Sequence, residues 1–278
     1  MRVPISGIDH VVIAVRDLDH ARSVYERLGF TLTPRGVHTL GSQNHCVMFE
    51  RDYFELLAPP KAHPAMQYYN EFLARGEGLA AIALATQDAT AAYDALRANG
   101  VVAETPLDFA RPVALPEGSR DAAFRIVQIS PEQTPGCRTF LCQHFTRDVV
   151  WRPEYERHAL GATGLAAVAV VVEDPARAAP RYAKIFDARP QPIDEGLRVD
   201  TGSAPIALAT RGKLGRRLTG AELPARPRPF VAALFIRVAD RGAAAGRLRK
   251  GGFVPVALQD GSYAVNAHEA CGVTLVFG

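Results

Sequence analysis

The sequence predicts an α+β fold made of four copies of one strand–helix–strands unit. Three observations carry that expectation. Residues 8–15 form an apolar run interrupted only by Asp9 and His10, the length of a buried strand. Ala21, Val24, Tyr25 and Leu28 follow at i, i+3, i+4 and i+7, which is one apolar face of a helix. The same order then recurs three times downstream, and an internal repeat sets the architecture before any local detail.

In the first unit, Asp17 or Asp19 can cap the helix, because a carboxylate accepts the free N–H groups of the first turn. Gly29 supplies the left-handed exit. Strands are expected over 30–33, 45–49 and 53–57, and Pro59-Pro60 ends the unit. A shift of 71 residues lays 82–86 on the first strand and Asp88 on Asp17, with Ala92, Leu96 and Asn99-Gly100 matching the helix and its exit. A shift of 157 does the same for 168–172 and Asp174. A shift of 223 brings up 234–238, Asp240, Leu248 and the exit Gly251-Gly252-Phe253.

One such unit cannot cover both faces of its sheet, whereas two side by side can curl around a shared cleft. Pairing units one with two and three with four gives two domains, 1–156 (units about 1–65 and 76–150) and 157–278. The division falls in the polar, Gly-containing stretch after Trp151-Arg152-Pro153.

Composition excludes several classes. Hydrophobic residues at 48% and charged residues at 22% belong to a chain that folds rather than one that stays disordered. The net charge is only +3 and the arginines are dispersed, so no nucleic-acid footprint is expected. No apolar run reaches the ~18 residues of a membrane span, and the N-terminus lacks a signal-peptide core. Cys46, Cys137, Cys142 and Cys271 form no Cys-x-x-Cys pair. Reduced thiols and a cytoplasmic location are the expectation. A Gly-x-Gly-x-x-Gly turn, a Walker A loop and a Gly-x-Ser-x-Gly elbow are all missing, so neither a nucleotide cofactor nor serine-hydrolase chemistry is expected.

The residues that could carry chemistry are few. Glu55 stands between Phe54 and Leu56 in an apolar strand, and a buried carboxylate needs a partner. His10, in the first strand, is the natural one. Without a metal the two could work as an acid–base pair. Arg125, in Phe124-Arg125-Ile126-Val127, either snorkels to a rim or faces a cleft and binds an anion. Arg111 is a weaker case of the same kind.

The repeat resembles the βαβββ module of the vicinal oxygen chelate (VOC) superfamily, which includes glyoxalase I, extradiol dioxygenases and bleomycin-resistance proteins. It is most similar to the glyoxalase-like branch. The residues that carry the resemblance are 8–18, 36–44, 53–58, 140–144 and 150–153. The resemblance implies two tandem glyoxalase/dioxygenase-like domains with curved mixed sheets around a cleft. It also implies a divalent metal whose ligands come from the first and last strand of each unit. Carried over, the first-strand position is His10, with Ala81, Ala167 and Ala233 as its counterparts. The last-strand carboxylate is Glu55, and unit two offers Leu141 or Gln143, depending on register. Units three (205–208) and four (273–276) offer neither carboxylate nor imidazole, so a degenerate second domain is expected.

The implied ligand set is therefore His10, Glu55 and Gln143, suited to Mn, Fe, Co, Ni or Zn. Strand alternation sets Gln143 with Leu141 and His144 with Cys142. With Leu141 in the ligand register, Gln143 faces the cleft and His144 points away. His38, in a Gly-x-His-x-x-x-Gly run, is implied as a substrate contact or third ligand, and it joins Glu55 as a candidate catalytic residue. Asn44, Arg125 and His144 are the candidate substrate-binding residues. The expected function is that of a metalloenzyme (lyase, isomerase or dioxygenase) acting on a small carbonyl- or hydroxyl-containing substrate in the first cleft. The alternative is a metal-free binding protein of the bleomycin-resistance type. A homodimer is compatible with the resemblance, since superfamily members often pair modules.

Overall fold

Two eight-stranded mixed sheets carry the chain in a computed structural model that describes residues 2–39, 41–61, 63–115 and 118–278. The first sheet contains β1 (Ile5–Ala14), β2 (Gly36–Val37), β3 (Gln43–Met48), β4 (Tyr53–Ala58), β5 (Gly78–Thr86), β6 (Leu107–Leu115), β7 (Gly118–Ile129) and β8 (Arg138–His144). Their spatial order is β2-β3-β4-β1-β5-β8-β7-β6. The second sheet contains β9 (Ala162–Val171), β10 (Gln191–Ile193), β11 (Gly196–Val199), β12 (Ile206–Ala209), β13 (Phe230–Val238), β14 (Val256–Ala257), β15 (Tyr263–Val265) and β16 (Thr274–Phe277). Its order, β10-β11-β12-β9-β13-β16-β15-β14, repeats the first strand for strand. The chain is thus two tandem domains of two modules each.

The helices are α1 (Leu18–Leu28), α2 (Gln67–Ala74), α3 (Ala89–Ala98), α4 (Arg147–Val150), α5 (Pro175–Phe186), α6 (Arg211–Arg217) and α7 (Arg241–Lys250). The repeat's aspartates start one helix in every module. Asp17, Asp88, Asp174 and Asp240 accept from first-turn N–H groups of α1, α3, α5 and α7. Asp19, the alternative cap for α1, pairs with Arg35 instead. Gly29 leaves α1 at φ 99, where a β-carbon would be strained.

Residues 30–33, expected as a strand, do not form one. The Thr31 N–H donates to His158 Nδ1 at 3.0 Å and the Thr31 hydroxyl to the Arg157 carbonyl at 2.6 Å, so this segment is committed to the inter-domain linker. Pro34 then has no N–H to offer a ladder. His158 also donates from Nε2 to the Met48 carbonyl and packs edge-on against Phe30 and Phe49.

Alternation along the central strands separates three apolar clusters. The largest joins the helix-side faces of both sheets (Val11, Ile13, Ile82, Val168, Val170, Leu234) to residues of α1, α3, α5 and α7. The other two lie on the opposite faces, one per sheet. In the second domain that face is filled: Leu214 of α6, with Leu218 and Leu223 beyond it, lies against Ala169, Ala233 and Phe235. Each fully buried leucine contributes roughly 2 kcal/mol. In the first domain α2 brings Tyr69 and Leu73 to the corresponding face and leaves a cavity.

Candidate functional site

That cavity, of about 200 Å³, opens between β1, β3 and β4 on one side and β6, β7 and β8 on the other. His10, His38, Asn44 and Glu55 line one end, and Phe109, Phe124, Phe140, Met66 and Tyr69 form much of the remaining wall.

A bulge in β1 builds the polar end. Ile8 opposes Leu84, but His10 opposes the next residue, Ala83, so Asp9 is an extra residue in the ladder. A bulge redirects side chains that simple alternation would separate. Here it lets Asp9 and His10 touch: Asp9 Oδ1 lies 2.6 Å from His10 Nδ1 and 3.1 Å from His144 Nε2. Burial would push the Asp9 carboxyl up. The hydrogen bonds and charges of His10 and His144 outweigh it and hold the group well below the ordinary carboxylate range. An ionised carboxylate only accepts, so both imidazoles donate to it. His10 therefore turns Nε2 toward the cavity, its ring stacked on Tyr53 at 4.4 Å between centroids.

Glu55 projects from β4 beside it. Its Oε2 lies 3.9 Å from His10 Nε2, and its Oε1 accepts from Asn44 Nδ2 at 2.6 Å. His38 Nε2 stands 3.9 Å from Glu55 Oε1, while Ser42 Oγ holds its Nδ1 at 2.8 Å. Burial lowers the His38 pKa and the Arg111 charge adds to that, against the opposing pull of Glu55, so the ring is neutral near pH 7. The cysteines beside the site are not nucleophiles. Burial pushes the Cys46 thiol up to about 12 and the Cys142 thiol well up, and the nearby carboxylates add to both.

The profile of the glyoxalase-like domain family matches residues 8–186, which spans the first domain and β9 and α5 of the second. The chain belongs to the glyoxalase-like domain family. Solved structures agree on the fold. A hypothetical protein from Staphylococcus aureus is similar to this glyoxalase-like chain over 98% of both chains, with a TM-score of 0.69 at 14% identity. A mutant of 4-hydroxymandelate synthase from Streptomyces coelicolor is similar over 91% of this chain and 76% of its own, with a TM-score of 0.58 at 16% identity. A xylose isomerase-like TIM barrel/4-hydroxyphenylpyruvate dioxygenase fusion protein is similar over 100% of this chain and 49% of its own, with a TM-score of 0.63 at 14% identity. No curated protein matches the sequence.

Several expected site residues of this glyoxalase-like protein lie elsewhere. Gln143 is on the helix-side face of β8, where Oε1 accepts from Ala89 N at 2.9 Å and Nε2 donates to the Gln87 carbonyl. It caps the start of α3 and cannot reach His10. Register explains the error. Val12 opposes Glu55 in β1/β4, and Ala83 opposes Phe140 in β5/β8. Shifting Val12 by 71 gives Ala83, so the counterpart of Glu55 is Phe140, neither Leu141 nor Gln143. The cavity-side residues of β8 are accordingly Arg138, Phe140 and Cys142.

Arg125 also points outward, paired with Asp108 at 2.6 Å and stacked over Phe145. Arg111, the weaker candidate, lines the cavity instead. The paired hairpin β6/β7 decides this: Leu107, Phe109 and Arg111 share one face with Phe124, Ile126 and Gln128. His144 shares the cleft side of β8 but does not line the cavity. It sits behind it, under Trp151 (5.1 Å between centroids) and against Asp9. Sequence reasoning missed Asp9 altogether. The one available signal was a carboxylate beside a histidine inside an apolar strand.

Among the described residues, Asp9, Cys142 and His144 form a cluster whose donor atoms lie within 4.8 Å of one another. Asp9 Oδ1 already takes both imidazole N–H groups, and His144 Nε2 is committed to that bond. Its work is to fix the orientation of His10.

Proposed function

We propose that the first cleft is the active site of a metal-dependent enzyme (lyase, isomerase or dioxygenase) acting on a small carbonyl- or hydroxyl-containing molecule. The observation that carries this reading is the facing pair of His10 Nε2 and Glu55 Oε2. At 3.9 Å they are too far apart for a hydrogen bond. A divalent ion takes about 2.1 Å to nitrogen or oxygen, so both atoms can reach one ion between them. The donor types fit further: an imidazole with a carboxylate suits Mn, Fe, Co, Ni or Zn, and His38 Nε2 faces the same carboxylate as a free base. Asp9 behind His10 is the kind of outer carboxylate that orients a ligating histidine.

A bound ion would polarise a substrate oxygen as a Lewis acid. The chain's own residues do the rest. Asp9 holds the His10 ring so that Nε2 faces inward. Asn44 anchors Glu55 by Oε1, leaving Oε2 as the oxygen turned toward His10. His38, neutral and held at Nδ1 by Ser42, can accept a proton at Nε2. The rings of Phe109, Phe124 and Phe140 keep water from the apolar end.

A metal-free binding role is the second reading. The counterparts of His10 and Glu55 in the other module, Ala81 and Phe140, favour it because they leave the ligand set short. Elemental analysis of the purified protein beside Glu55→Gln separates the two readings. About one equivalent of Mn, Fe, Co, Ni or Zn, lost in the variant, is expected. Metal content that is unchanged in Glu55→Gln, or that stays at zero after reconstitution in both proteins, would overturn the metalloenzyme reading.

A further inference from the structure

Arg111 is a cation set in the wall of the cleft, without a partner among the described residues. It is 9% exposed, on β6, and lines the cavity. Among the described residues it has no carboxylate, carbonyl or aromatic ring as a hydrogen-bond, ion-pair or stacking partner. Arg125, three pairs along the same hairpin, shows what a satisfied arginine looks like here, with two hydrogen bonds to Asp108. A guanidinium on a cavity wall without a counter-charge keeps its N–H donors open to whatever fills the cavity. Retaining one in a cavity wall is explained by a ligand that supplies the charge.

Its position says what that ligand must span. A β-carbon on Gly36 would overlap Asn44 Oδ1 and stand 3.0 Å from Arg111 Nη1, so both atoms crowd the same glycine. The other end of that Asn44 amide donates to Glu55 Oε1. Arg111 is thus one side chain away from Glu55, yet the two form no salt bridge. Beyond Arg111 the wall is aromatic: Phe109 and Phe124 stack at 5.0 Å, and Phe140 and Tyr69 follow.

We infer that the ligand of this cleft is a small organic acid: its carboxylate seats on Arg111, its apolar body lies on the Phe109–Phe124 wall, and its adjacent oxygen-bearing carbon comes up to Glu55 and His10. A planar guanidinium matches a carboxylate bidentately, which fixes the orientation as well as the charge. The inference rests on reading the first cleft as the substrate site, but not on the metal.

The test uses matched pairs: acetate, benzoate, phenylacetate and 3-phenylpropionate, each beside its neutral primary amide. Binding is followed by calorimetry and by ligand-induced thermal shift of the full chain. At least one aromatic carboxylate should bind tenfold or more tightly than its amide. Arg111→Met should abolish that preference, and Arg111→Lys should keep part of it. Arg111→Met should also fold and melt no lower than the wild type without ligand, because it removes an unpaired buried charge. The inference is overturned if no carboxylate is preferred over its amide, or if the preference survives Arg111→Met. Should Arg111→Met fail to fold, Arg111→Gln carries the same comparison. Glu55→Gln serves as the control that separates the two proposals: loss of metal without loss of the carboxylate preference leaves this inference standing, and the reverse result leaves only the metal site.

Discussion

Replacing Asp52 by asparagine isolates one buried charge at the junction of the domains. Asp52 lies just before β4 and is 2% exposed, and its Oδ1 accepts from Leu165 N of β9 at 3.0 Å. Burial pushes its carboxyl up from 3.8 to about 6, against the Leu165 hydrogen bond and the Arg237 charge, which pull it down. A raised value in the folded state means that the native protein holds this proton more tightly than the unfolded chain does. The stabilising contribution is therefore complete below pH 3.8 and is lost as pH rises through about 6. A gap of about 2 units at ~1.36 kcal/mol each makes the ionised group cost on the order of 3 kcal/mol at neutral pH and above. Asp52→Asn keeps an oxygen for the Leu165 N–H and carries no charge. Urea unfolding of both proteins from about pH 4 to about pH 8 should show the variant gaining roughly 2–3 kcal/mol relative to wild type, mostly below about pH 6. Parallel stability curves would refute the reasoning, because Asp52 would then ionise equally in the folded and unfolded chains.

Two further outcomes follow from the site and its empty counterpart. Asp9→Asn removes the charge that both imidazoles donate to, so competitive chelator titration should show metal affinity reduced by about 10–100-fold while the protein stays folded. An affinity unchanged within about twofold would mean that His10 is oriented by something else. Leu214→Ala opens a void in the filled face of the second domain and should cost about 2–5 kcal/mol in urea, with ligand binding in the first cleft unaltered. A parallel loss of first-cleft binding would show that the second domain takes part in the site.

The two domains share a strand order and differ in what covers their concave faces. In the second, Leu214 of α6 and Leu218 just beyond it fill that face with apolar contact. In the first, α2 covers less, and the polar residues that remain are held by one another: Asp9 by His10 and His144, Glu55 by Asn44, His38 by Ser42. Buried polar groups persist where each has a partner. Arg111 lines the same cleft with no counter-charge among the described residues, and that is what marks it.

The repeat, its helix starts and the His10–Glu55 pair were legible in the residues alone, because local physics writes them. Aspartates at equal shifts cap one helix per module, alternating apolar strands bury one face, and a carboxylate between Phe54 and Leu56 demands a partner. Register was not legible, since it is set by which strands meet across long separations. A one-residue difference in β8 moved Gln143 to the helix face and put Phe140 opposite the central strand. The bulge at Asp9 is likewise a property of the β1/β5 pairing, and only that pairing brings Asp9 between His10 and His144. The choice between Arg111 and Arg125 was decided by how the β6/β7 hairpin sits over the cleft. Composition and spacing govern which elements form, whereas the side a charge faces depends on contacts between strands far apart in the chain.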